Sequence, residues 1–205
     1  MGHQRRGRTA TAAALVVLLG GCSTGSPEPA PAAPDDTHAV ERTTLETYDT
    51  AGVTVERSPF CDRVSPTGIE HALDQAATSH RDYGNGDRIQ LPDGSRTLAH
   101  EYGCAWTGEG VTARAWVFVP PVTRGRAGRL VEEALDGRCR RTGSGGFGTP
   151  SVATRCRTDE GVERSWRGRF GDAWLVCALA GRDASVVTER RTSEWCVSVL
   201  DAART

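Results

Sequence analysis

Lysine is absent from this sequence, and all 25 of its basic residues are arginine. Several catalytic devices depend on a lysine side chain, among them the Schiff-base amine, the Ser-Lys dyad and the phosphate-binding lysine of the P-loop. The composition therefore excludes the enzyme classes that use these devices.

Metal-binding and hydrolase motifs are also missing. The sequence has no Cys-x-x-Cys pair, and His71, His80 and His100 do not fall at the spacing of zinc ligands. It has no G-x-S-x-G nucleophile elbow either. We therefore expect no metal, no cofactor and no catalytic residue of a recognisable motif.

One glycine-rich stretch, residues 143–148, matches the form G-x-G-x-x-G of a dinucleotide-binding loop. In that motif a strand leads into the glycines and a helix follows them. Here no predicted strand leads in, and Pro150 stands where the helix would begin. We therefore interpret the stretch as a turn.

The apolar stretch at residues 10–19 is too short to cross a membrane. About ten helical residues span ~15 Å, whereas the hydrocarbon core of a bilayer is ~30 Å thick. Basic residues, among them Arg5, Arg6 and Arg8, precede the stretch and small residues follow it, which is the three-part pattern of a secretory signal peptide.

The leader ends in Leu19-Gly20-Gly21-Cys22, which resembles the lipobox of bacterial lipoproteins. In a lipobox the cysteine thiol receives a diacylglycerol and the chain is cut just before the cysteine. We therefore predict that residues 1–21 are a cleaved signal peptide and that Cys22 is the lipid-carrying N-terminus. Each buried methylene contributes ~0.8 kcal/mol, so that two or three acyl chains would hold the protein at the outer face of the cell membrane.

A polar tether is expected after the anchor. Residues 22–57, most clearly Ser23 to about Thr44, are rich in residues that cannot build a core, chiefly Pro, Ala, Ser, Thr and Asp. The remaining residues, 58–205, have the length of a single globular domain.

The charge of the mature chain argues against nucleic-acid binding. Cleavage removes Arg5, Arg6 and Arg8 and no acidic residue, which leaves 22 basic residues against 26 acidic ones, a net charge of about −4. A nucleic-acid-binding domain usually carries a basic patch or stripe. We therefore expect no nucleic acid as a partner. The expected partners are the membrane, through the lipid anchor, and an envelope protein or apolar ligand.

Hydrophobic periodicity predicts three helices. Ser65-Pro66 forms an N-cap followed by proline at the first helical position, which predicts a helix over 66–78. A second helix carries the apolar stripe of residues 127–135. The third helix is C-terminal and carries Trp195 and Leu200.

Alternation of apolar and polar residues predicts an antiparallel sheet. The predicted strands are 97–106, 111–119, 151–157, 162–167 and 173–179. The first two form a hairpin that the second helix should cover, and the last is apolar on both faces and therefore central. Turn residues over 83–94 predict a loop or short hairpin. The fold class is thus α+β, a mainly antiparallel sheet covered by about three helices.

Six cysteines remain after Cys22 is set aside, an even number suited to disulfides in an oxidising compartment. Fifteen pairings are possible. Pairing neighbours along the chain joins a helix or its flank to the strand that the helix should cover, which suits the geometry of a bridge. The predicted bridges are Cys61–Cys104, Cys139–Cys156 and Cys177–Cys196.

Two pairs of side chains and one acid are candidate functional groups. Trp116 and Phe118 lie on the hairpin face opposite the valines, so that the tryptophans could line an aromatic ligand cleft or, as we favour, pack in the core beneath the second helix or another sheet edge. The tryptophans are Trp106, Trp116, Trp166, Trp174 and Trp195. His100 and Glu101 are the base and acid of a hypothetical hydrolase site. Asp172 is a candidate buried acid, but its place before the central strand favours a turn residue.

Several motifs resemble those of the uncharacterised actinobacterial lipoproteins with a domain of unknown function. The matching motifs are the lipobox at Cys22, Cys61, Tyr102-Gly103-Cys104-Ala105-Trp106, Ala115-Trp116-Val117-Phe118, Phe170-Gly171-Asp172-Ala173-Trp174-Leu175 and Trp195-Cys196. They cover about residues 58–203, although the polar segment 78–96 is not typical of every member. Some mycobacterial relatives have PsbP-like folds, so the resemblance implies a disulfide-stapled α+β sandwich in the envelope. It implies no catalytic residue.

The sequence favours a non-catalytic, membrane-anchored envelope lipoprotein whose domain binds a protein partner or a small apolar ligand. One alternative is an envelope hydrolase with a divergent acid and histidine site. Another is an accessory or sensor subunit of an envelope complex, which would differ from the first only in its partner.

Overall fold

The computed structural model describes residues 42–90, 94–143 and 145–205. The predicted signal peptide, the lipid attachment at Cys22 and most of the predicted tether lie outside the described residues. The fold class of the described chain is α+β, as the sequence predicts.

Three α-helices and one 3-10 turn precede, interrupt and follow the strands. They are the 3-10 turn Cys61–Arg63, α1 at Pro66–Leu73, α2 at Arg124–Glu133 and α3 at Glu189–Ala203. Each α-helix begins after a hydroxyl residue whose side-chain oxygen accepts a backbone N–H of the first turn, Ser65, Thr123 and Thr188 respectively. These caps satisfy donors that a helix N-terminus otherwise leaves unpaired.

The strands form one large sheet and one small hairpin. They are β1 at Ser79–Tyr83, β2 at Arg88–Gln90, β3 at Arg96–Leu98, β4 at Glu101–Gly108, β5 at Val111–Phe118, β6 at Cys139–Arg141, β7 at Ser151–Thr158, β8 at Gly161–Phe170 and β9 at Ala173–Gly181. The large sheet has the order β1-β4-β5-β9-β8-β7-β6, and β2 pairs with β3. All described pairings are antiparallel, and β9 is central, as predicted.

The sheet is covered on both faces. Residues such as Ala115 and Cys177 point to the first face, where α1 and α3 bury the main core. Trp174 and Val176 point to the second face, where they pack with Leu130 of α2. Because side chains alternate along a strand, β9 can be apolar on both faces only when each face has its own cover.

The second helix covers less of the hairpin than predicted. It contacts β7 and β8, and its apolar cluster reaches only Trp116 and Phe118 at one end of β5. The position of β9 explains the difference, since its insertion beside β5 moves the centre of the second face away from the β4–β5 hairpin.

The folded domain begins earlier than the predicted boundary at residue 58. Leu45 and Val55 are buried in the main core, each with only 4% of its surface exposed. Val55 forms a β-bridge with Arg204, and the Leu45 N–H donates to Ser193 Oγ at 2.8 Å. The sequence placed the boundary too late because the composition of this segment is mostly polar, and its two buried apolar residues pack only through contacts with α3 and the residues after it. We call residues 42–57 the entry segment.

The first helix is shorter than predicted, and the chain turns into a strand where the helix was expected to continue. Asp74 has a φ of 61°, the left-handed conformation that ends a helix. Its backbone N–H bonds back to the last helical carbonyls, and β1 begins at Ser79. The apolar side chains of Ala76 and Ala77 suggested a longer helix because they continue its stripe.

The three predicted disulfides are present. Cys61–Cys104 and Cys177–Cys196 join a helix or its flank to a strand, with Cα atoms 5.9 Å and 5.4 Å apart. Cys139–Cys156 instead links directly paired residues of β6 and β7, at 4.0 Å. The pairing is confirmed, but the middle bridge joins two strands rather than a helix and a strand.

Candidate functional site

A cleft of about 470 Å³ opens between three segments that are distant in sequence. One wall is the part of the entry segment from Arg42 to Thr47. The second is the glycine-rich turn, represented by Gly143 and Gly145, and the third is the N-terminal half of α3. A volume of this size falls within the range of binding clefts in proteins.

The floor of the cleft is apolar. Trp166 of β8 and Leu45 line it, and both are almost fully buried in the main core. Ser193 of α3 also lines it and holds the Leu45 backbone through its hydroxyl. The floor is therefore fixed by the core, and the entry segment is part of the site rather than a spacer leading to it.

Charged residues of both signs form the rim. Glu189 Oε2 lies 3.3 Å from Arg164 Nη1, and Arg190 Nε donates to Glu194 at 2.9 Å. Glu46 is exposed on the opposite wall. The cleft thus presents both acceptors and donors around an apolar floor.

Gly143 allows the turn to approach α3. Its φ of 67° lies in the left-handed region, and a Cβ at this position would lie 2.8 Å from Glu189 Oε1. Any side chain there would have to displace the carboxylate of the rim. The described residues of the stretch, 143 and 145–148, lie in neither a helix nor a strand, and a strand rather than a helix follows at Ser151. The sequence did not predict that this stretch lines a cleft.

A second cavity, of about 290 Å³, lies beside α1 and contains His71, Glu70 and Asp74. His71 Nε2 lies 2.5 Å from Glu194 Oε2, and the Glu194 side chain is only 4% exposed. Arg42 lines both cavities. Arg190 lines the first cavity and His71 the second, and both side chains bond the Glu194 carboxylate.

The charge of Glu194 is stabilised by its partners. Burial by itself would raise the pKa of this carboxyl group, but hydrogen bonds from His71 and Arg190, together with their charges, outweigh burial and hold the pKa below its ordinary value. A carboxylate that fixes one imidazole nitrogen also fixes the direction of the other. No sequence motif marked this pair, because its members lie 123 positions apart.

Trp116 and Phe118, the candidates for an apolar ligand site, belong to the second-face core. Both are half-buried and pack with Val122, Leu130 and Trp174 beneath α2. Neither lines the cleft or the second cavity. The core-packing alternative is therefore correct for both residues.

His100 and Glu101, the candidates for a hydrolase, lie outside both cavities. Glu101 Oε1 accepts a hydrogen bond from the Tyr83 hydroxyl at 2.7 Å. Burial raises the pKa of Glu101 above its ordinary value, although the Tyr83 hydrogen bond and the charge of His100 oppose this effect. Burial and the neighbouring carboxylate in turn raise the pKa of Tyr83. The structure thus pairs Glu101 with a tyrosine rather than with the histidine beside it.

Asp172 lies in the turn between β8 and β9, as predicted. Its carboxylate pairs with Arg57 Nη2 at 3.2 Å instead of bonding its own turn, and its carbonyl accepts the Val122 N–H. Its side chain is 55% exposed, so Asp172 is not a buried acid, the alternative that the sequence left open.

Among the residues that the structure describes, no group of three or more His, Cys, Asp or Glu side chains is placed to hold a metal ion. None of the helices in the described ranges is long and apolar enough to cross a membrane.

Comparison of the chain with protein-family models, with curated proteins and with solved structures gave no match. The resemblance to actinobacterial lipoproteins therefore stays a prediction from the sequence motifs. The function has to be inferred from the geometry of the cleft and from the leader.

Proposed function

We propose that this protein is an envelope lipoprotein, anchored through Cys22 at the outer face of the cell membrane. The leader and lipobox carry this proposal, and the three disulfides support it because such bridges persist in oxidising compartments. With the domain beginning near residue 42, the tether predicted from composition shortens to about 20 residues. A flexible chain of that length reaches roughly 25 Å.

We further propose that the tethered domain is a non-catalytic binding module for a segment of a protein partner, and that the cleft holds this segment. The observation that carries the proposal is the apolar floor of Trp166 and Leu45 within a rim of charged side chains. Contact sites between proteins combine a desolvated apolar or aromatic centre with a polar, solvated rim.

A small apolar ligand fits this geometry less well. The rim of the cleft contributes the charged side chains Glu46, Glu189 and Arg190, which an apolar molecule would desolvate without offering them a hydrogen bond. A peptide brings its own backbone donors and acceptors to such a rim. We therefore favour a protein partner over an apolar ligand.

The proposal is tested by photo-crosslinking in living cells. A photoreactive amino acid is placed at position 46, on the exposed wall of the cleft, and for comparison at position 160, an exposed glutamate in the β7–β8 turn outside the cleft lining. We expect a discrete crosslinked species from position 46 and none from position 160. Mass spectrometry then identifies the partner and shows whether the protein is an accessory or sensor subunit.

Charge reversal supplies the matched control. Glu46→Arg should weaken binding of the identified partner by roughly fivefold or more, since it inverts a rim charge, whereas Glu160→Arg should not change it. Equal crosslinking at both positions, or equal binding by both variants, would contradict the cleft as the binding site.

A second candidate function, hydrolysis in the envelope, is favoured by one observation. His71 lies in a cavity and is oriented by an almost fully buried carboxylate, which is how a general base is held in several hydrolase sites. If the protein cleaves ester, glycan or peptide substrates and His71→Gln abolishes this activity without changing the unfolding midpoint, the non-catalytic proposal is wrong. Absence of turnover would remove the hydrolase.

A further inference from the structure

A cluster of three charged side chains lies on the second face of the sheet, next to the residues that pack against α2. It consists of Arg114 on β5 and Glu163 and Arg167 on β8, and we call it the arginine cluster. Strand β9 separates β5 from β8 and presents Ala178 and Ala180 between them. Because these two side chains are methyl groups, the long side chain of Arg114 can cross the central strand.

The cluster holds two guanidinium groups around one carboxylate. Arg114 Nη2 pairs with Glu163 Oε2, and Arg167 Nη2 lies 3.6 Å from Glu163 Oε1. The exposed fraction of the side chain is 13% for Glu163 and 24% for Arg167. The group therefore combines partial burial with one more positive than negative charge.

Hydrogen-bonding capacity in the cluster is incompletely used. Arg114 Nε is buried and has no hydrogen-bond partner among the described residues. Arg167 Nε donates to Ser165 Oγ at 3.2 Å. The distance of 3.6 Å between Arg167 Nη2 and Glu163 Oε1 is too long for a strong hydrogen bond. Buried donors without partners are rare, and each needs an explanation.

The two arginines repel each other. Burial lowers the pKa of Arg167, and the charge of Arg114 lowers it further, while Glu163 acts in the opposite direction. Strand β5, which carries Arg114, lies between β1 and β8 in the sheet, and the charge of Arg114 also opposes the rise in the pKa of Tyr83 on β1. One carboxylate thus does not fully neutralise the two cations that share it.

We propose that the arginine cluster binds a small oxyanion, the carboxylate or phosphate group of a soluble ligand, between Arg114 and Arg167. Guanidinium groups present planar sets of N–H donors that match the oxygens of such anions. The site is independent of the peptide cleft, because the cleft floor residue Trp166 and the arginine cluster lie on opposite faces of β8.

The test uses thermal unfolding of the purified full-length mature protein in mild detergent. Sodium phosphate and sodium acetate are each compared with sodium chloride at the same ionic strength and pH. We expect phosphate, acetate or both to raise the unfolding midpoint above its value in chloride, in a saturable manner. The more effective of the two assigns the chemistry of the anion.

Glu163→Gln is the decisive variant because Glu163 competes with an incoming anion. Its removal leaves both guanidiniums without a carboxylate, so that the apparent affinity for the anion should increase roughly fivefold, the effect of one partly screened charge. A purely structural ion pair predicts only a lower midpoint, with no gain in anion response. A gain of affinity cannot arise from misfolding.

Arg114→Gln should remove the anion response. Arg138→Gln is the matched control, since Arg138 forms an exposed pair with Asp159 at the end of another strand. It should keep the response of the unmodified protein. The proposal would be overturned if the unmodified protein and Glu163→Gln each had the same unfolding midpoint in all three salts. It would also be overturned if Arg114→Gln and Arg138→Gln lost the anion response equally.

Discussion

Glu101 differs at the residue scale from the other described acids whose pKa is shifted. Hydrogen bonds lower the pKa values of Asp159, Asp183 and Glu194, with help from opposite charges at Asp159 and Glu194, whereas burial raises the pKa of Glu101. Glu101 therefore carries its charge at a cost in the folded protein. The fold tolerates this cost because the Tyr83 hydroxyl supplies one hydrogen bond.

The raised pKa of Glu101 fixes the sign of its effect on stability. The folded state binds the proton more tightly than the unfolded chain, so that the favourable contribution is present below the unfolded pKa of about 4.3 and is lost as the pH rises through the folded value. Glu101→Gln should therefore lose this pH dependence and be more stable than the unmodified protein at pH 7, by less than about 1 kcal/mol. Urea unfolding of both proteins at pH 4 and pH 7 measures this difference in the free energy of unfolding.

Glu160→Gln, at an exposed turn position, controls for the loss of one acidic residue. It should leave the difference in stability between pH 4 and pH 7 unchanged. A Glu101→Gln variant that is less stable than the unmodified protein at pH 7 would show that the hydrogen bond from Tyr83 outweighs burial.

Gly168 is the second residue at which the local geometry makes a sharp prediction. A Cβ on this strand position would lie 1.5 Å from the carbonyl oxygen of Phe147, whose side chain is fully buried against Phe170. Gly168→Ala should therefore destabilise the domain by about 3 kcal/mol or more, because a buried backbone segment has to move. Chemical unfolding measures the loss.

Gly128 provides the opposite case within α2. A Cβ there meets no atom within 4 Å, so that Gly128→Ala should stabilise the domain by roughly 0.5–1 kcal/mol through helix propensity alone. If both substitutions lowered the stability equally, the close approach of Phe147 to β8 would not be the cause.

At the scale of elements, the sequence predicts the interior better than the edges. Strands β7, β8 and β9 and helix α3 follow clear periodicity, and the pairings β7–β8 and β8–β9 join strands that are neighbours in the chain. Edge strand β1 was missed because Ser-His-Arg-Asp-Tyr shows no apolar alternation, and it becomes a strand only by pairing with β4. The short edge strand β6 was missed for a similar reason, since Cys139–Arg141 carries no apolar stripe.

The cleft could not be predicted because no single element carries it. Its walls come from the entry segment, the glycine-rich turn and α3. The floor residue Trp166 is one of the five tryptophans that could line an aromatic cleft by sequence, but core packing is favoured for all of them. The pair of His71 and Glu194 is equally non-local. Sequence periodicity predicts which face of a helix or strand is apolar, whereas this cleft depends on how three separate segments come together.

At the scale of elements, the testable prediction concerns the contribution of the entry segment to stability. A chain beginning at residue 58 loses the burial of Leu45 and Val55, each worth roughly 1.5–3 kcal/mol, and the bridge to Arg204. It should unfold at clearly lower denaturant concentration than a chain beginning at residue 42. Leu45→Ala in the longer chain should reproduce part of the loss, about 2–3 kcal/mol.

Equal unfolding midpoints for the two chain lengths would mean that the entry segment does not contribute to the core. Thr47→Ala, which changes an exposed side chain of the same segment, serves as the control for Leu45→Ala. Its own hydrogen bond is local, to the Thr44 carbonyl, so only a small effect is expected.

At the scale of the whole molecule, we expect Cys22 to carry a lipid and the other six cysteines to form disulfides. We predict that the protein extracted from membranes has the mass of a chain starting at Cys22 with two or three acyl chains. Six thiols should become available to an alkylating reagent only after reduction. Intact mass spectrometry with and without reductant, under thiol-blocking conditions, measures both.

Cys22→Ser should yield a chain without acyl groups that is released from the membrane, while its three disulfides remain. An unlipidated species from the unmodified gene would contradict the anchor. Free thiols before reduction would instead contradict the oxidising compartment.

The bridge between Val55 and Arg204 brings the end of the entry segment and residue 205 together, and the Thr205 N–H also bonds the Thr54 carbonyl. Arg42 lies instead in the cleft beside the first turn of α3, so a linker from Thr205 back to Arg42 would have to run the length of that 15-residue helix, roughly 22 Å. With such a linker, new chain ends could be opened at an exposed turn such as that between β7 and β8. A reporter fused after Thr205 would emerge beside Thr54 and Val55, at the end of α3 away from the cleft. One placed in the β7–β8 turn would leave the meeting point of the two ends free.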